Sequence, residues 1–175
     1  MTQLRADAQR NLGLVLEAAA EVFSERGPDA SIDEIARRAG VGHATVFRRF
    51  PTKDALIVAV AQARIDEITG FAREALASDD VGAAFVDFVW RAAELHARDR
   101  GLFDCLDRCR ETPEAEELEA LVVELTARAQ AAGAIRADID PGDVSVLVGG
   151  ALKSAPRDRW RLYVEVVLDG LRSGR

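Results

Sequence analysis

The sequence predicts an all-α protein, with a small three-helix head at the N-terminus and a larger helical body behind it, about nine helices in all. Three observations lead there. Apolar residues recur at helical spacing in segment after segment, start and stop signals bracket those segments, and the stretch Ser31–Phe50, SIDEIARRAGVGHATVFRRF, reads as two short helices joined by a tight glycine turn.

That stretch has local chemistry at each boundary. Ser31 is an N-cap, with a hydroxyl that can accept from an amide one turn on, and Glu34 stands where it can reach back and complete a capping box. Ile32, Ile35, Ala36 and Ala39 share a face. Gly40 can take the positive φ that ends a helix. After Val41 and Gly42, a second helix runs from His43 to Arg49, with Val46 filling the gap between the two. This is the helix-turn-helix pattern. Arg37, Arg38, Arg48, Arg49 and Lys53 cluster around it, which points to nucleic acid more than to an ordinary helical hairpin.

Composition limits the alternatives. A chain of 175 residues can hold one good core, or a small domain leaning on a larger one. Its longest apolar run, Ala55–Ala61, is far below the roughly 18 residues of a membrane span. Glu17 and Glu21 interrupt the apolar positions after Arg5 and Arg10, giving an amphipathic helix and no signal peptide. Cys105 and Cys109, four apart, fit a reducing cytoplasm better than a disulfide scaffold. The net charge of −7 is unevenly spread. Residues 1–54 hold eight basic and eight acidic side chains, so the whole excess of acid lies in 55–175. Contact with nucleic acid should therefore be local and oriented. The expected domains are accordingly 1–54 and 55–175.

In order, a first helix covers Asn11–Arg26, its face formed by Leu12, Val15, Leu16, Ala19, Val22 and Phe23, and Gly27-Pro28 stops it. Thr52 caps a fourth helix from Lys53 to about Ala77. Val81–His96 is apolar on two sides and belongs at the centre of the body. A shorter helix is expected over Gly101–Arg110. Thr112-Pro113-Glu114 starts the next, which reaches Gly133. Asp140-Pro141 starts another, with Gly149-Gly150 inside it where a neighbouring helix would approach closely. The last carries Trp160, Tyr163, Val164, Val167, Leu168 and Leu171 in one stripe.

The run from Leu12 to Val60 resembles the DNA-binding head of the TetR family of bacterial transcriptional regulators. The resemblance rests on four consecutive segments: EVFSERG, the capped SIDEIARRAGV, the helix TVFRRF and the start PTKDAL. It covers about the first third of the chain. The AGAIRADIDPGDV and YVEVVLDGLR segments look like C-terminal regions of some members. The resemblance implies a cytoplasmic, nucleoid-associated regulator, most simply a repressor. It would bind a pseudo-palindromic operator in double-stranded DNA as a homodimer and be released by a small-molecule effector. It implies neither enzyme activity nor a cofactor.

By the same resemblance, Gly42, His43, Ala44 and Thr45 would face base edges, while Arg48, Arg49 and Lys53 would hold phosphates. Ser31 could add a phosphate bond. Phe47 stands where relatives often have tyrosine, and packing beneath the helix is its expected role. Asp33 replaces a residue that is often basic and would repel a phosphate. An effector pocket would be lined by Phe85, Phe88, His96, Phe103, Leu106 and Leu121. The dimer surface would use Val144, Val148, Leu152, Trp160, Tyr163, Val164, Val167 and Leu171. Two other readings compete: a helical interaction protein that kept the head but lost operator binding, and an enzyme or thiol or metal sensor built on Cys105 and Cys109. The cysteine pair has no third and fourth ligand at convincing spacing.

Overall fold

The structure is a computed structural model, and it describes residues 2–27, 30–100, 112–172 and 174, with the backbone alone at 2–6 and 8. Eight helices are described, with an isolated antiparallel bridge between Ile135 and Arg172. The short helix expected over Gly101–Arg110 lies outside the described residues, and so do Phe103, Leu106, Cys105 and Cys109.

Helix α1 (Thr2–Arg26) begins well before Asn11. The segment Thr2–Arg10 has neither proline nor glycine to stop a helix, but it lacks the apolar stripe by which one is recognised. Gly27, at φ 57°, turns the chain after it. Helix α2 (Ile32–Ala39) starts on Ser31, whose hydroxyl accepts from the Glu34 amide at 3.2 Å. The Glu34 carboxylate lies against Arg26 at 3.4 Å and Arg38 at 3.9 Å, so it is engaged by arginines and not by a capping box. Gly40 sits at φ 68°, and the amide of Val41 donates to Ala36 at 3.0 Å, a Schellman-type end that needs the left-handed conformation. Helix α3 (His43–Arg49) follows at once, and α4 (Lys53–Leu76) starts with the Ala55 amide donating to Thr52 Oγ1 at 3.1 Å.

The described residues fall into two units, and the division lies inside α4. The first gathers Met1–Arg64 and, from the segment Asp99–Arg110, the described residues Asp99 and Arg100. Its core joins Ala19, Val22 and Phe23 of α1, Ile35 and Ala36 of α2, Val46 of α3, and Leu56 and Val60 of α4. Ala36 is buried with Val46, as its small size requires.

The second unit holds the remainder of α4 from Ile65, then α5 (Val81–Arg98), α6 (Pro113–Ala131), α7 (Pro141–Ser154) and α8 (Trp160–Leu171). Thr112 caps α6 by accepting from the Ala115 amide at 3.3 Å, and Asp140 caps α7 by accepting from the Gly142 amide at 2.9 Å. Helix α5 packs on α6, α7 and α8, and so is central to this unit. Phe85, Leu125, Val144, Val164 and Leu171 are fully buried in its core.

This packing corrects part of the expected dimer stripe. Val144, Leu152, Val164 and Leu171 are spent on the chain's own core and have no surface left for a partner. Val148, Trp160, Tyr163 and Val167 are half-buried. The stripe is apolar because it faces inward, and the opposite faces of α7 and α8 expose Val146, Leu147, Leu162 and Val166. The close approach expected at Gly149 and Gly150 is not made by any of the described residues. A close approach occurs instead at Gly82, where an added Cβ would lie 2.8 Å from the Cβ of Ala134.

Candidate nucleic-acid interface

Helix α3 is held by one buried side chain, Val46, which is 1% exposed. Every other residue of that helix is exposed: His43, Ala44, Thr45, Phe47, Arg48 and Arg49. The seven-residue helix is thus anchored along a single line and open elsewhere. Gly42 is its N-cap, at φ −69° and without a side-chain cap bond. The nearest atom to a Cβ added there would be Thr45 Oγ1, at 3.9 Å, so a larger residue fits.

Phe47 is not packed beneath the helix. It is 51% exposed, and its ring lies against His43 in near-parallel stacking, centroids 6.0 Å apart and planes 15° from each other. Residues 43 and 47 share a face one turn apart, whereas the inward position is taken by Val46, and Phe50 is the buried ring. Asp33 does not stand as an isolated negative charge either. Its Oδ1 meets His43 Nδ1, linking the first turn of α2 to the first residue of α3.

The basic cluster sorts into two groups. Arg38 forks onto Glu25 at 2.7 and 2.9 Å, with Glu21 at 3.7 Å, and so is held by carboxylates of α1. That hydrogen bond raises the Arg38 pKa and lowers that of Glu25. Among the described residues no carboxylate pairs with Arg48 or Arg49. Both border a groove of about 630 Å³ with Gln9, Asn11 and Thr45 on its rim and Leu12, Val15, Val46 and Phe50 on its floor. Lys53 opens α4 and is half-buried. Ser31 is exposed, with its hydroxyl engaged as the α2 cap.

Residues 15–60 match the family described as bacterial regulatory proteins, tetR family, and residues 80–173 match the C-terminal domain described as transcriptional regulator SbtR-like. The chain is 42% identical to the TetR transcription regulatory protein from Mycobacterium vanbaalenii, with a TM-score of 0.75 over 97% of this chain and 99% of that one. It is 30% identical over 162 residues to the HTH-type transcriptional repressor Rv1474c of Mycobacterium tuberculosis, 90% of this chain and 78% of that protein. The chain belongs to the TetR family.

Against the HTH-type transcriptional repressor Rv3405c of Mycobacterium tuberculosis, this TetR-family regulator is 41% identical over 85 residues, spanning 48% of its own length and 41% of that protein's. It is a transcriptional regulator with a DNA-binding helix-turn-helix, and not an enzyme. In the regulator's second unit, Phe85 and Phe88 are buried in the core, while His96 and Leu121 are half-buried. Both phenylalanines of that stripe belong to the core cluster of the unit. No group of three or more metal-ligating side chains occurs among the described residues. No described helix is long and apolar enough to cross a membrane.

Sequence reasoning missed the Asp33–His43 contact and the Glu25–Arg38 fork. Neither pair has helical spacing, since each joins different helices, and only the packing of α1, α2 and α3 brings them together.

Proposed function

We propose that this regulator is a repressor that binds a pseudo-palindromic operator as a homodimer and leaves it when a small molecule binds the helical body. The carrying observation is the exposed face of α3, with Arg48 and Arg49 unclaimed by any described carboxylate beside His43 and Thr45. Unclaimed arginines suit phosphates, which position the protein, and the N-terminal residues of the helix suit base edges. Gly42, His43, Ala44 and Thr45 take the second role, and Arg48, Arg49, Lys53 and Ser31 the first. Phe47 supports His43.

Dimerisation is supported by the exposed Val146, Leu147, Leu162 and Val166 on two adjacent helices, next to the open Gly149 and Gly150. Two heads held by such a body would read half-sites about one helical turn apart. An effector would act by preferring the dimer conformation whose heads do not fit that spacing. The regulator would work in the cytoplasm, on the nucleoid.

The test is binding to a duplex selected from a randomised pool, measured across salt concentrations. Arg48→Ala and Arg49→Ala should each weaken binding about uniformly across sequences and lower the salt slope by about one. Absence of any preferred duplex at low salt would overturn the reading.

A further inference from the structure

We propose that Asp33 is a positioning residue for base recognition: it fixes His43 with its proton on Nδ1, so that Nε2 is the ring atom offered to the DNA. This rests on α3 being the reading helix. Asp33 Oδ1 contacts His43 Nδ1 across the glycine turn. A carboxylate oxygen accepts, so the contact takes its hydrogen from Nδ1. The bond made by one ring nitrogen sets the role of the other, and Nε2 is thereby left to meet a base edge.

The ring is also restrained from its other side. Phe47 stacks on it in a near-parallel arrangement, 6.0 Å between centroids. An exposed histidine would otherwise exchange rotamers and tautomers freely, and ordering it on the operator would cost conformational entropy. Asp33 from α2 and Phe47 from α3 meet that cost before DNA arrives. The same arrangement gives a purpose to an acidic side chain placed beside a phosphate-binding surface, where charge alone would weaken binding.

Two measurements on the full chain test this, using Asp33→Ala and Asp33→Asn. The asparagine keeps an acceptor for Nδ1–H and removes the charge. First, nitrogen-15 NMR of the DNA-free protein should show the neutral His43 ring protonated on Nδ1 in the parent and in Asp33→Asn, and shifted to the Nε2-protonated form in Asp33→Ala. A parent ring protonated on Nε2, or no change in Asp33→Ala, overturns the proposal.

Second, the selected duplex is substituted at each base pair in turn. Asp33→Ala should lose about threefold to tenfold discrimination, the scale of one hydrogen bond, at the base pair that His43→Ala also relaxes. Asp33→Asn should retain it. Uniformly tighter binding of Asp33→Ala, with every preference intact, marks mere phosphate repulsion and overturns the proposal. A pool that yields no preferred duplex overturns the DNA-reading assignment itself, and the NMR result separates that failure from a failure of the Asp33–His43 contact.

Discussion

Arg64 Nε donates to Asp99 Oδ2 at 2.6 Å, and both side chains are almost wholly withdrawn from water, Arg64 at 4% and Asp99 at 2% exposure. The other edge of the guanidinium forks onto Glu17 of α1 at 2.9 and 3.1 Å. Burial works against the Arg64 charge, but the Glu17 hydrogen bond and the charges of Asp99 and Glu17 outweigh it, holding the pKa above the usual guanidinium value. One cation thus joins α4, α1 and the residue following α5.

Removing that cation should be costly because it takes a charged hydrogen-bond partner from a buried carboxylate. Arg64→Met is expected to lower stability by about 3–5 kcal/mol, read from urea denaturation. Adding Asp99→Leu should recover much of the loss, since an apolar pair of suitable volume has no desolvation to offset. An Arg64→Met protein as stable as the parent would show that Asp99 is satisfied without Arg64.

The exposed Glu25–Arg38 fork leads to a pH prediction. Arg38 holds the folded Glu25 pKa below its ordinary value of 4.5, so its stabilisation is present above that pH and is lost as pH falls through the lower folded value. Glu25→Gln should therefore be less stable than the parent near neutrality, and the difference should close below pH 4.5. Thermal melts across that range decide it, and a gap independent of pH would point to packing instead.

A charge on the outer face of α7 and α8 should separate dimerisation from folding. Val146 is 71% exposed and Val166 is 62% exposed, so glutamate at either position leaves the core untouched. Sedimentation of Val146→Glu or Val166→Glu should show a dimer dissociation constant raised about tenfold or more, because a buried unpaired charge costs over 1.4 kcal/mol. Helical circular dichroism should not change. A parent that sediments as a monomer would remove the basis for this surface.

Gly82 should resist replacement although it lies in a helix, where alanine is normally the better residue by about 1 kcal/mol. The 2.8 Å approach of an added Cβ to Ala134 Cβ forces the turn after α6 to move. Gly82→Val should cost about 1–3 kcal/mol through overpacking. A melting temperature at or above the parent's would mean that the Ala134 turn yields easily.

The head was legible because its signals are local. Ser31, Gly40 and Thr52 act on amides and carbonyls a few residues away, and each does so as its sequence position predicts. Phe47 was misread because an aromatic residue one position from Val46 looks equally able to face inward. A rotation of about 100° per residue decides between them, and the decision is made by what α1 and α2 place beneath α3.

Sequence by itself determined the helical class and the capped and glycine-turned pair at Ser31–Phe50. These depend on backbone conformation and short-range periodicity, which are written in neighbouring residues. Tertiary structure alone decided which arginines the described carboxylates hold and which apolar stripe is core. Arg38 is consumed by Glu25 while no described carboxylate pairs with Arg48 or Arg49, and Val144 and Val164 turn inward while Val146 and Val166 turn outward. The physical reason is shared: an ion pair or a buried face is a relation between segments distant in sequence, and it exists only once packing has set their distance.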